Sequence, residues 1–278
     1  MRTLVLARFT FREAIRRRIV LAALVLTGIF LALFALGTHF AVRELETSPL
    51  VLPSFRPVIV SQLLLSGIWL MSLASSLLAI FAASGTLSAE VESFTIQAIA
   101  AKPLRRWEIV VGKWLGLAAM TTGYSIITAA LVMVVVWLRA GYAPPNPALA
   151  LGALAMQMLV LLSLTILGSA LFPALAAGIT VFMLHAIAMA GGLEEQLGLV
   201  LRNETMQKIG VWISLLVPSD VMGKLGASGL QTLTGATTTM PGPFSVLAPP
   251  SGWMALYAAL YLTTCLALAA ARFARRDL

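Results

Sequence analysis

The sequence predicts an all-α membrane protein: six transmembrane helices, an N-terminal interfacial amphipathic helix, a cytoplasmic coupling helix between spans two and three, and an outer re-entrant or interfacial segment before span six. Composition is the first ground. Of 278 residues 60% are hydrophobic and only 11% charged, with a mean hydropathy of +0.96, whereas a soluble domain is roughly a quarter charged and about half apolar. A water-soluble fold has no way to hide that much apolar surface. The second ground is a set of charge-free intervals of spanning length, and the third is the gathering of basic residues on one side of the bilayer. The net charge of +8 and isoelectric point near 10.4 would raise nucleic acid as a partner in a soluble protein. Here the basic residues flank apolar runs instead, so the partner is the lipid bilayer and not nucleic acid. The single cysteine, Cys265, lies in an apolar stretch and excludes a disulfide framework or a CxxC metal site.

A span needs about 20 apolar residues at 1.5 Å rise each. Ile19–Phe40 satisfies this and is too long for the ~7–15-residue core of a secretory signal, so it reads as a retained first span. Val58–Ala82 is the second and Trp114–Leu138 the third. The uncharged run from Ala148 to Gly192 would be ~68 Å long as one helix, more than twice the hydrocarbon thickness of about 30 Å, so it must turn back. Pro173 marks the turn, giving spans four (Ala148–Leu171) and five (Ala174–Gly192). Ser251–Ala271 is the sixth, stopped by Arg272, Arg275 and Arg276, and the whole chain, 1–278, forms a single transmembrane domain.

With the N-terminus inside, Arg2, Arg8, Arg12, Arg16, Arg17, Arg18, Lys102, Arg105, Arg106, Lys113, Arg272, Arg275 and Arg276 all fall on the cytoplasmic side. The outer segments balance their basic residues with Glu44, Glu46, Glu194, Glu195, Glu204 and Asp220, so the excess charge is inside, as the positive-inside rule requires. Both termini are then cytoplasmic. Residues 1–18 form the interfacial helix: Leu4, Ala7, Phe11, Ala14 and Ile15 share one face, while Arg8, Arg12 and Arg16 on another face meet acidic head groups. Residues 86–108 form a cytoplasmic excursion, with a short helix from Ala89 to Ala100, Glu90 and Glu92 in its positive first turn, and Lys102-Pro103 as a break. Residues 193–250 form the outer segment: a charged helical stretch, the apolar Ile209–Ser219, too short to cross and therefore re-entrant or interfacial, and a Gly/Thr/Pro-rich run from Gly226.

Catalytic patterns such as HExxH or GxSxG do not occur, and neither Lys113 nor Lys224 belongs to a phosphate-binding loop. The chain reads as no enzyme, with no catalytic, cofactor or metal residues of its own. No span has a Lys, Arg, Asp or Glu near its centre, so coupling to an ion gradient has no relay to run on, and energy must come from another subunit. His185 in span five is the one intramembrane histidine. It reads as hydrogen-bonded to a neighbouring helix, with proton or metal binding as the alternative. The methionines within spans read as packing residues. Gly112 and Gly116 form a G-x-x-x-G pair permitting close helix approach.

Three segments carry a resemblance: Ala7–Arg18; Gly85–Thr95 continuing through Ala101-Lys102-Pro103-Leu104-Arg105-Arg106-Trp107-Glu108 to Gly112-Lys113; and Phe273–Leu278. Together they resemble a permease subunit of ABC-2 type ATP-binding-cassette transporters, in the branch that includes permeases of copper-enzyme maturation and gliding-motility systems. Where many members have Gly after the second acid, this sequence has Ser93-Phe94. The resemblance implies a multi-pass protein of a prokaryotic plasma (inner) membrane, paired with a second permease copy or a paralogue and with two copies of a separate ATP-binding subunit. ATP and Mg would sit on that partner, and Glu90, Glu92, Lys102, Pro103, Arg105 and Arg106 would contact it. The apolar spans favour export of an amphiphilic or hydrophobic substrate. The alternative is a membrane anchor or sensor whose 193–250 segment binds a periplasmic protein and passes signal or force to a cytoplasmic ATPase without moving solute.

Overall fold

The computed structural model describes residues 2–47, 55–87, 106–231 and 244–275. Among them all regular structure is helical. The order is α1 (Arg2–Ile15), α2 (Arg18–Thr47), α3 (Arg56–Ser84), α4 (Arg106–Ala140), α5 (Pro147–Leu171), α6 (Ala174–Val200), α7 (Glu204–Leu216), α8 (Ser219–Ser228) and α9 (Gly252–Ala274). Six of these, α2 to α6 and α9, are long and apolar enough to cross a membrane.

Local chemistry sets the ends. Asn146 caps α5, its side chain accepting from Leu149 N at 3.1 Å, and Pro147 follows where a missing N–H costs nothing. Pro173 stops α5 and serves as the N-cap of α6, so the turn within the long apolar run falls at the expected residue. Asn203 caps α7 by accepting from Thr205 N at 3.0 Å and Met206 N at 3.3 Å.

α5 lies at the centre, with 67% of its most apolar stretch buried inside the protein, against 11% for α2. α2 meets the bundle through a narrow stripe of Val20, Thr27, Thr38 and Leu45, pinned where Thr27 Oγ1 and Tyr124 OH share a 2.5 Å hydrogen bond. One apolar cluster at the α1 end joins Ala14, Ala82, Ala83, Leu87, Val110, Ile166 and Phe273, drawing in helices from both ends of the sequence. A second, at the far end, joins Leu64, Ile68, Val132, Leu154 and Leu230.

Three expectations change. The apolar face assigned to α1 is displaced: Leu4 is 68% and Ile15 47% exposed, while Leu6, Ala7, Thr10, Phe11 and Ala14 form the packed side. The reason is that α1 has a protein surface to pack on, the start of α4, as well as any lipid. The charged stretch after Gly192 is helical, as expected, but it lengthens the fifth span beyond Gly192, because nothing in Leu193–Val200 breaks α6. The apolar Ile209–Ser219 is no single unit either. The helix ends before Val217-Pro218, where a proline has no N–H to donate, and α8 leaves at 111° to α7, taking in Gly223 and Gly226.

Candidate functional site

At the α1 end the chain builds a braced platform. A Cβ on Gly116 would lie 2.7 Å from Thr10 Cβ and 3.0 Å from Phe11 N, and one on Gly112 would lie 2.8 Å from Leu6 Cδ2. The G-x-x-x-G pair is therefore the seat of α1, bringing the two backbones closer than any side chain would allow. Lys113, only 4% exposed, donates from Nζ to Thr86 O at 3.0 Å. Leu87 N donates to Ser169 Oγ at 3.0 Å. Arg17 donates to Ala82 O at 3.2 Å while pairing with Glu13 at 2.8 Å. Arg106, the first residue of α4, donates from Nη1 to Ala274 O at 3.0 Å. Thus the residues on either side of 88–105 are tied to α4, α5 and α9, and α4 in turn seats α1. Of the residues assigned to ATPase contact, Arg106 stands on this platform; Glu90, Glu92, Lys102, Pro103 and Arg105 lie outside the described residues. Arg8, Arg12 and Arg16 are exposed on α1, with exposed Leu4, Val5, Phe9 and Ile15 around them.

At the far end the structure assembles a polar nest that the sequence reading missed. α7 folds back along α6, and His185 Nδ1 meets Ser219 Oγ at 2.9 Å. His185 precedes Gly192 by about 10 Å of helix rise, so the α7–α8 corner reaches that far along span five. α8 then returns beside α5, with a Cβ on Gly223 meeting Gln157 Oε1 at 3.3 Å and one on Gly226 meeting Ala150 O at 3.3 Å. Tyr257 of α9 donates to Leu215 O at 2.7 Å. Lys224 Nζ lies 2.6 Å from Glu195 Oε2 and 3.5 Å from Asp220 Oδ2, with side-chain exposures of 10%, 25% and 17% respectively. Gly192 makes room for this, since any side chain there would strike the Asp220 carboxylate. Ser72 Oγ donates to Gln157 Oε1 at 3.0 Å. A cavity of about 140 Å³ opens among these groups, with Trp69 and Phe244 on its apolar wall.

His185 pairs with a neighbouring helix, as its isolation in an apolar span suggested. The ion cluster escaped notice because its members come from 193–250, which has no apolar run long enough to span. The available signal was the Asp220/Lys224 pair one helical turn apart on an otherwise small-residue segment.

Six apolar helices, a helix seated across the start of α4, and a folded-back pair before the last helix define a multi-pass membrane protein of transporter type. The family model described as ABC-2 family transporter protein matches residues 4–278, and the chain belongs to that family. It is a permease subunit, the membrane component of transporters that generally work with a separate ATP-binding subunit. No curated protein matches the chain.

Proposed function

We propose that the chain is half of an exporter in a prokaryotic inner membrane, of the copper-enzyme maturation and gliding-motility branch. It pairs with a second copy or a close paralogue and with two ATPase subunits that carry the ATP and Mg. The observation that carries this reading is the platform at the α1 end. Both sides of the 88–105 segment are fastened by named hydrogen bonds to α4, α5 and α9, so a displacement applied to that segment moves several helices together. Glu90, Glu92, Lys102, Pro103, Arg105 and Arg106 make the ATPase contact, and Arg8, Arg12 and Arg16 hold α1 to anionic head groups. Closure of the ATPase pair on ATP tilts these helices and switches access from the cytoplasmic to the outer side. The substrate is amphiphilic, because the faces that α2 presents between Ile19 and Phe40 and α6 between Ala174 and Ala190 are uncharged and largely apolar.

The test is co-purification from native membranes followed by charge reversal. Stoichiometric recovery of a subunit with a phosphate-loop motif supports the reading. Arg105→Glu/Arg106→Glu should leave the complex hydrolysing ATP while transport into vesicles falls at least tenfold. Transport at the unaltered rate rejects the contact assignment, and recovery with periplasmic proteins alone favours an anchor or sensor.

A further inference from the structure

The far-end cavity has features that packing alone does not require. Asp220 and Lys224 line it, but the charges there do not balance, because Lys224 also meets Glu195 outside the lining and its short 2.6 Å bond goes to Glu195. Asp220 is left with a 3.5 Å ion contact, and its Oδ2 is buried without a hydrogen bond among the described residues. Residues 48–54 and 232–243 contain no Lys, Arg, Asp or Glu. His185 is engaged with the Ser219 hydroxyl and not with a carboxylate.

Two further polar side chains point the same way. Gln157 is 4% and His185 2% exposed. Both line the cavity, yet each has one hydrogen bond among the described residues, Gln157 through Oε1 and His185 through Nδ1. The Gln157 amide N–H groups and the second ring nitrogen of His185 have no partner among the described residues. Of the described groups lining the cavity, Asp220 Oδ2 is the one both buried and unpaired, a state native folds rarely leave. The opposite wall is apolar and aromatic, with the Trp69 and Phe244 rings 5.8 Å apart.

An excess carboxylate charge and an aromatic wall, in a cavity of about 140 Å³, suit a compact monocation on an apolar tail. A cation beside Asp220 removes the charge imbalance where the surroundings screen it weakly, and the ring faces attract it further. We propose that this cavity binds the cationic head of an amphiphile, one ammonium group seated beside Asp220 and against Trp69 and Phe244. The proposal rests on the exporter reading for its role and names the substrate class. The tail would lie along Leu65, Ile68 and Leu193, which also line the cavity.

The full chain in nanodiscs is titrated with radiolabelled dodecyltrimethylammonium below its micellar concentration, with empty nanodiscs subtracted. Saturable binding of one cation per chain is expected, displaced by unlabelled cation but not by equal concentrations of dodecyl maltoside or dodecyl sulfate. Asp220→Asn, which keeps the shape and removes the excess charge, should weaken binding about tenfold or more. Trp69→Leu, at a 42% exposed position where folding is not at stake, should weaken it several-fold. Binding no different from empty nanodiscs, equal displacement by the neutral detergent, or unchanged affinity in both variants overturns the site. If Asp220→Asn does not fold, the Trp69 variant decides. An ATPase that co-purifies with a chain unable to bind the cation leaves the exporter standing and this site rejected. Cation binding without any ATPase partner keeps the site and removes the exporter.

Discussion

Gly116 and Lys224 carry the most weight at the scale of single residues, for opposite reasons. Gly116 contributes by having no side chain. Gly116→Val would drive a branched Cβ into the α1 backbone, and overpacking of that kind costs about 1–3 kcal/mol. The expected result is a lower thermal unfolding temperature and loss of protease protection at α1, with little effect at a lipid-facing control such as Leu131→Ala. Lys224 contributes through charge. Lys224→Met strands Glu195 and Asp220 in the nest and should destabilise by about 3 kcal/mol or more, as breaking a buried ion pair does. Adding Glu195→Gln should recover part of the loss, and a double-mutant cycle in denaturant unfolding gives the coupling directly. If the double variant loses the sum of the single losses, the two side chains do not act as a pair. Gly112 and Gly116 were visible in the sequence as a close-approach motif, but the partner helix was not, since α1 comes from about a hundred residues earlier. His185 was visible because an apolar helix makes any polar residue conspicuous. Glu195, Asp220 and Lys224 were hidden because the charged helical stretch and the residues after Ile209–Ser219 carry no pattern in the sequence that shows them facing one another.

Among the elements, the six long helices were the most legible, because the need to satisfy backbone groups within the bilayer leaves continuous apolar helices as nearly the sole solution for an α-type chain. Pro173 was readable for the same reason, since a run too long for one crossing must break and proline supplies the break. Pro218 was harder. Its flanking pieces are each too short to span, and only packing shows that they form a hairpin between α5, α6 and α9. Replacing Pro218 by Ala restores an N–H and relaxes the residue before it. The expected outcome is a continuous α7–α8 helix or a weakened corner, read as increased hydrogen exchange at Ser219–Ser228 with α2 and α4 unaffected. Protection equal to the unaltered protein throughout would mean that tertiary contacts, not the proline, set the corner.

The whole molecule divides by depth. The α1 end is braced by side-chain-to-backbone hydrogen bonds, while the far end is lined by charges around a cavity. This polarity agrees with a protein that receives mechanical input on one side and handles a polar head on the other. Orientation is open to a direct test, since Cys265 is buried and is the only cysteine. In a Cys265→Ala background, Arg202→Cys should react with a membrane-impermeant maleimide in intact cells, and Arg275→Cys only after permeabilisation. The reverse pattern would invert the topology and with it the direction of transport.

The seat of α1 also fixes an order of events during synthesis. Its packing partners on α4 are made roughly a hundred residues after it, and at about 5–20 residues per second that is an interval of about 5–20 s. Throughout that time α1 has only the membrane surface to rest on, and its exposed Leu4, Val5 and Phe9 beside Arg8, Arg12 and Arg16 suit such a surface. The arginine-studded side of α1 therefore suits a membrane surface both while the chain is being made and after α1 has been seated on α4.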